Sequence, residues 1–129
     1  MQVDILTKSN AISVVKKNKT SVDYYIFNEF EIHLNKIQPH SKQEWHMHKI
    51  IEEVLVVTEG QVDIRWKENE ETMCATLFKG SLARVKNSVH VIENTTDNWA
   101  EFTVYRMVPL GNFNREIMKN DKIVIETDS

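Results

Sequence analysis

Residues 45–60 read WHMHKIIEEVLVVTEG. Two imidazoles, His46 and His48, stand two positions apart; the carboxylates Glu52 and Glu53 follow, and Gly60 closes the run. In an extended chain, side chains two positions apart share a face. His46 and His48 therefore point one way, and Trp45 and Met47 the other. From Glu53 to Val57 the chain is rich in β-branched residues and apolar on both faces, the pattern of a strand. On that strand Glu53 lines up with Leu55 and Val57, whereas Glu52 lines up with Val54 and Val56. Two imidazoles and one carboxylate converging from neighbouring strands make half of a divalent-metal site.

The other half is sought in residues 82–97, LARVKNSVHVIENTTD. His90 alternates there with Ile92 and Asn94, and the run ends in a turn-forming cluster over residues 94–98. With both regions in view, the chain resembles the cupin family. His46, His48, Glu53 and Gly60 fall at the spacing of the first cupin motif, and His90 with Asn94 resembles the second. The departures fall on turn positions. His40 stands where the first motif opens on Gly, and Val85 and Asn87 stand where the second has Pro and Gly. Asn87 is expected to replace that Gly, because Asn tolerates a left-handed backbone. Gly80 lies one position from the second motif's opening Gly.

The resemblance covers about residues 40–94. It implies an all-β jelly-roll (double-stranded β-helix) barrel with a core over about residues 28–109 and short extensions at 1–27 and 110–129. It also implies a divalent transition metal held by His46, His48, Glu53 and His90. Glu52 replaces Glu53 if the shorter motif spacing applies, and Asn94 is read as a turn residue. Three imidazoles and a carboxylate leave up to two positions of an octahedron open, which suits a catalytic ion. A structural zinc site is more often closed and contains cysteine. Iron, manganese, nickel, copper, cobalt and zinc all accept these ligands, so the metal's identity stays open.

At 129 residues the chain fits one domain, long enough to bury about two thirds of its unfolded surface without disulfides. The single cysteine, Cys74, sits in the alternating run MCATLF and is read as a small buried hydrophobe. No positively flanked N-terminal apolar run and no membrane-length apolar stretch occurs, so the default expectation is a cytoplasmic protein with no membrane partner. The net charge is −3 with no basic block, which argues against a nucleic-acid partner. Glu68, Glu70 and Glu71 in KENEE read as a solvated hairpin tip.

Taken in order, residues 12–16 and 22–27 are weak strand candidates joined by KKNKT, a ribbon expected to pair outside the barrel or with a partner. Residues 30–37 alternate, with Phe30, Ile32 and Leu34 against Glu31, His33 and Asn35; His33 is placed on the solvent side. Pro39 to Gln43, with His40, forms a loop, and Trp45 packs between sheets. Further strands are predicted over 61–66, 72–78, 82–85, 90–94 and 102–108, a short helix over 112–119 through Phe113, Ile117 and Met118, and an edge strand over 123–125. A homodimer paired through sheet edges is expected of a small barrel with spare strands at both ends.

Substrate contacts are sought at Arg84 and Arg106, which suit a carboxylate or phosphate, and at Gln43, Tyr105 and His33 as hydrogen-bonding groups. The chain contains no phosphate loop, dinucleotide fingerprint or Ser, His and Asp arrangement. The leading expectation is a metal-dependent enzyme acting on a small molecule, either a dioxygenase or an isomerase or lyase in which the metal acts as Lewis acid. Two others stand beside it: a non-catalytic barrel that binds a metal or small ligand, and a metal-free isomerase or epimerase using a pocket His as base.

Overall fold

The structure, a computed structural model, describes residues 2–109 and 115–126. Its strands are β1 (Ile12–Val15), β2 (Ser21–Ile26), β3 (Phe30–Ile37), β4 (Ser41–Lys42), β5 (His46–His48), β6 (Glu52–Glu59), β7 (Gln61–Glu68), β8 (Glu71–Phe78), β9 (Leu82–Arg84), β10 (His90–Asn94), β11 (Ala100–Met107) and β12 (Lys122–Val124). Helix α1 (Arg115–Asn120) precedes the last strand. One sheet runs β1-β2-β3-β11-β6-β9 and the other β12-β5-β10-β7-β8, with β4 beside β10. Every pairing is antiparallel. From β5 to β11 the chain changes sheet at each connection except the β7–β8 hairpin. That alternation winds two facing sheets from one continuous ribbon, the jelly-roll arrangement.

The two-residue period explains what fills the space between the sheets. Leu55 and Val57 on β6, Val62 and Ile64 on β7, Ile92 on β10, and Phe102 and Val104 on β11 all turn inward into one apolar cluster. A second, smaller cluster seats α1: Met118 packs with Ile51 and Val108. The helix is described from Arg115 onward, and Phe113 lies outside the described residues. Beyond α1, the buried Asp121 carboxylate accepts the backbone N–H groups of Ile50 and Ile51 at 2.8 and 3.0 Å. This ties the C-terminal segment to the loop between His48 and Glu53.

Three expectations fail in β3, β8 and the β9–β10 connection. In β3 the inward face is Glu31, His33, Asn35 and Ile37, all buried, while Phe30 and Leu34 are exposed. His33 is therefore an interior residue. The apolar half of that strand faces out because this end of the barrel encloses a polar cavity, so the more polar half is the one turned in. Cys74 is exposed, since Ala75 and Leu77 take the inward positions on β8. The left-handed residue before β10 is Lys86, with φ 52°, and not Asn87. His40, where the cupin motif has glycine, also adopts a left-handed backbone with φ 53°.

The terminal strands belong to the sheets. β2 pairs with β3 along its length, so the N-terminal ribbon continues the first sheet, and β12 pairs with β5 at the edge of the second. Asn18, in the turn between β1 and β2, donates through Nδ2 to the Lys42 carbonyl at 3.0 Å and links the two sheets. No helix among the described residues is long and apolar enough to cross a membrane.

The KENEE tip is the two-residue turn Asn69–Glu70, with φ of 50° and 68°. Positive φ at both positions is the type I′ geometry that suits a right-twisted hairpin, and it favours glycine at the second position. Relieving Glu70 of its left-handed backbone is worth about 1 kcal/mol once glycine's greater unfolded entropy is subtracted. Glu70→Gly is thus expected to raise the melting temperature by roughly 2–4 °C, as read by circular dichroism.

Candidate metal centre

His46 and His48 project from β5, Glu53 from β6 and His90 from β10, so the cluster draws on both sheets. One donor atom from each of the four lies within 4.8 Å of the others. Donors bound to a single ion at about 2.0–2.3 Å stand at most roughly 4.5 Å apart, so these side chains close on one ion with small movements. β10 brings His90 directly opposite His46, whose ring centre lies 4.4 Å from that of His90. The three imidazoles are buried.

The surrounding hydrogen bonds orient the ligands. His46 Nδ1 donates to the Glu44 carbonyl at 2.8 Å, and His90 Nδ1 donates to the Ser88 carbonyl at 3.0 Å. A carbonyl only accepts, so both rings carry their proton on Nδ1 and present an unprotonated Nε2. His48 has neither nitrogen in a well-directed hydrogen bond although it is 2% exposed, and its Nε2 stands 3.2 Å from Glu53 Oε2. A buried imidazole without partners is costly. A metal ion at the cluster would satisfy it, and the donor set fits a divalent transition metal.

Charge around the cluster follows the strand register. Arg106 on β11 lies opposite Glu53 on one side and Glu31 on the other, with its Nε 3.5 Å from Glu53 Oε2 and its Nη2 donating to the Met118 carbonyl at 2.9 Å. Burial would raise the Glu53 carboxyl, but the neighbouring His48 and Arg106 outweigh it and hold its pKa down to about 2. Burial, aided by His90, pushes His46 down to about 3, and burial likewise lowers His90. At neutral pH the two imidazoles are therefore neutral and the carboxylate ionised, the states that a metal requires.

These shifts fix a pH dependence. His46 and His90 titrate below their ordinary value in the folded protein, so the unfolded chain binds more protons as pH falls below about 6.5. Their contribution is complete above that pH and falls away below it, that of His46 being lost as pH nears about 3. Each imidazole removes up to about 1.4 kcal/mol per pH unit in this window. Glu53 follows only between its ordinary value of 4.5 and about 2. Metal retention measured after dialysis is expected to hold at pH 7 and to fail as pH nears the folded-state values of the ligands, about 3 for His46 and about 2 for Glu53.

The cluster forms one wall of a cavity of about 660 Å³. Gln43 and Arg106 line it. Arg84 and Tyr105 do not: Arg84 is exposed and holds Glu52 through two hydrogen bonds of 3.0 and 2.9 Å, and Tyr105 lies on the outer sheet face. Strand parity accounts for both, since Glu52 and Val54 face outward when Glu53 and Leu55 face in. Glu52 is accordingly outside the cluster. Asn94 is buried and organises its turn, accepting Thr96 N–H at 3.0 Å and donating to the Asn98 carbonyl at 2.7 Å.

Sequence reasoning missed a second polar group of the cavity wall, His33, with Glu31 beside it outside the lining. His33 Nε2 lies 2.8 Å from Glu31 Oε1, both residues are buried, and the Tyr24 ring meets His33 edge-on at 4.5 Å. The signal that could have found it is Ile37, which shares the parity of His33 and is fully buried. Lys16, Lys17 and Lys122 also line the cavity, brought there by edge-strand pairing that no local pattern announces.

The same architecture occurs in solved structures. A sugar phosphate isomerase "from a cupin superfamily", from Silicibacter pomeroyi, superposes with a TM-score of 0.64 at 20% identity over 81% of this chain and 75% of that one. This chain has the cupin fold. The capsular polysaccharide assembling protein CapF of Staphylococcus aureus shares the cupin fold at a TM-score of 0.73 and 18% identity over 91% of this chain. Lactobacillus farciminis oxalate decarboxylase, in a formate complex, also matches at 0.73, with 15% identity over 97% of this chain. The chain spans about a third of the length of the CapF and oxalate decarboxylase chains, 34% and 37% respectively. No protein-family model and no curated protein matches the sequence.

Proposed function

We propose that this cupin is a metal-dependent enzyme acting on a small molecule, with the ion held by His46, His48, Glu53 and His90. The observation that carries the reading is the position of the cluster: four ligand side chains form part of the wall of an open cavity of about 660 Å³, so a bound ion would face a substrate-sized space. When bound, the metal supplies Lewis acidity and open coordination positions for substrate oxygens. The protein's own groups supply the rest. His48 and Arg106 hold Glu53 ionised, the carbonyls of Glu44 and Ser88 fix two ligand tautomers, and Leu55, Ile92, Phe102 and Val104 give the cavity an apolar floor.

Within this reading, oxygen chemistry stands ahead of isomerisation or a lyase reaction. The two part on one experiment: substrate panels turned over by the iron(II)- and manganese-loaded protein with and without dioxygen. Oxygen uptake coupled to turnover supports the dioxygenase; undiminished anaerobic turnover assigns the isomerase or lyase class. One observation favours a second reading. His33 lines the cavity with its Nε2 2.8 Å from Glu31 Oε1, an imidazole oriented by a carboxylate as in a general base. Turnover by fully metal-stripped protein that is abolished in His33→Gln would support a metal-free isomerase.

The outer face of the first sheet suits a second copy of the chain. Phe30 lies opposite Met107, and Leu34 and Tyr105 stand exposed beside them, a contiguous apolar surface on β3 and β11. A homodimer covering this face has twice the 15.1 kDa chain mass by light scattering. A mass near one chain at working concentration argues against it.

A further inference from the structure

The cavity differs in charge from the chain around it. Lys16, Lys17, Arg106 and Lys122 line it against Glu44 and Glu53, four cations and two carboxylates, for a net +2 in a chain of net −3. A divalent ion on the cluster would add two more. The sources of this charge are separate in sequence. Lys16 follows β1, the edge strand of one sheet, and Lys122 opens β12, the edge strand of the other. The bond from Asn18 to the Lys42 carbonyl pins the Lys16 turn against the second sheet.

Beside Arg106 the cavity holds three lysines, Lys16, Lys17 and Lys122, and of the two that follow β1 Lys16 is the one that is partly buried. Arg106 is engaged by Glu53 and the Met118 carbonyl. Lys122 Nζ comes only within 3.6 Å of Glu44, whose side chain is 65% exposed. Lys16 is partly buried, and its ammonium makes no hydrogen bond or ion pair with any described residue. Burial, and then the charge of Lys122, lower its pKa. Like charges held together on a partly desolvated wall are unfavourable until an anion lies between them. The floor of Leu55, Ile92, Phe102 and Val104 is apolar, which suits a carbon skeleton better than a bare inorganic ion.

We infer that the cavity's ligand is a small organic anion, its carboxylate or phosphate group held by Lys16 and Lys122 while its other end meets the metal centre. The inference rests on the reading of this cavity as the substrate site, and it names the substrate class. Lys16 and Lys122 are binding residues in this scheme and take no part in the chemistry.

The test is calorimetric titration of manganese-loaded protein with succinate and glycerol phosphate, beside their neutral counterparts succinamide and glycerol. At least one acid is expected to bind while the neutral compounds do not, and the acid that binds assigns the anionic group. Lys16→Gln and Lys122→Gln are each expected to weaken that binding about tenfold or more, whereas Lys8→Gln, on the remote exposed ion pair with Asp23, leaves it unchanged. Metal content by plasma mass spectrometry is expected to be the same in all four proteins. Binding of neither acid, equal binding of the neutral compounds, or unchanged affinity in both cavity-lysine variants overturns the inference. A protein that takes up no metal yet binds an acid through the lysines keeps the lysine-held anion, overturns its contact with a metal and sinks the metalloenzyme reading.

Discussion

His90→Ala is expected to lower affinity for a divalent transition metal by at least about a hundredfold while leaving the barrel folded. His90 is 1% exposed, lies opposite His46 in the register and is fixed by the Ser88 carbonyl, so its Nε2 is already oriented toward the cluster. A hundredfold loss corresponds to about 2.7 kcal/mol of binding. In the wild type, metal at a thousandfold excess over Kd stabilises the fold by about 4 kcal/mol, so most of the metal-induced rise in melting temperature should vanish in the variant. Glu52→Gln is the matched comparison. Glu52 faces outward on Arg84, and its loss should leave metal affinity unchanged. Calorimetric titration with manganese or zinc checks both; equal losses in the two variants would place the carboxylate and imidazole roles wrongly.

The second large effect is structural. Gly60 joins β6 to β7 with φ +71°, and a Cβ there would lie 3.0 Å from the Trp99 carbonyl oxygen and 3.3 Å from Ala100. That oxygen is backbone and cannot swing away. Gly60→Ala therefore combines about 1–2 kcal/mol of left-handed strain with an overpacking cost of similar size, for a total of roughly 2–4 kcal/mol. Gly80 separates the two causes. Its φ is +88°, but a Cβ would meet nothing within 4 Å, so Gly80→Ala should show the strain alone. Urea unfolding of both variants reads the difference. Equal destabilisation at the two positions would mean that the approach of Trp99 carries no weight.

The parts of the fold that were legible in the sequence are those written in a short-range code. The two-residue period placed His46 with His48 and separated Glu53 from Glu52, and the structure keeps both assignments. Strand β3 was predicted with its observed limits, residues 30–37, yet with its faces inverted. Periodicity shows that two faces differ; it does not say which is inside when the interior is a polar cavity. The same gap hid the Glu31–His33 pair. Arg84 could not be resolved because its partner, Glu52, lies 32 positions away, on another strand. Lys16 and Lys122 were invisible for a stronger reason: their approach depends on where two edge strands end, which is a property of the whole topology.

The turns tell a related story. The cupin motifs carry glycine at turn positions, and this chain reaches left-handed backbone at or beside two of them with other residues. His40 adopts φ 53° in place of one such glycine, and Lys86, beside the expected Asn87, adopts φ 52°. Such positions weaken a motif as a sequence signal without weakening the fold it marks.

The measurement that tests the account most directly is the metal content of protein purified without an affinity tag, by plasma mass spectrometry, before and after reconstitution with iron(II), manganese and nickel. Near-stoichiometric transition metal, absent from the His90→Ala variant prepared in parallel, is the predicted result. No metal in either protein after reconstitution would contradict the account, and would leave three buried imidazoles and Glu53 without the ion that explains their arrangement.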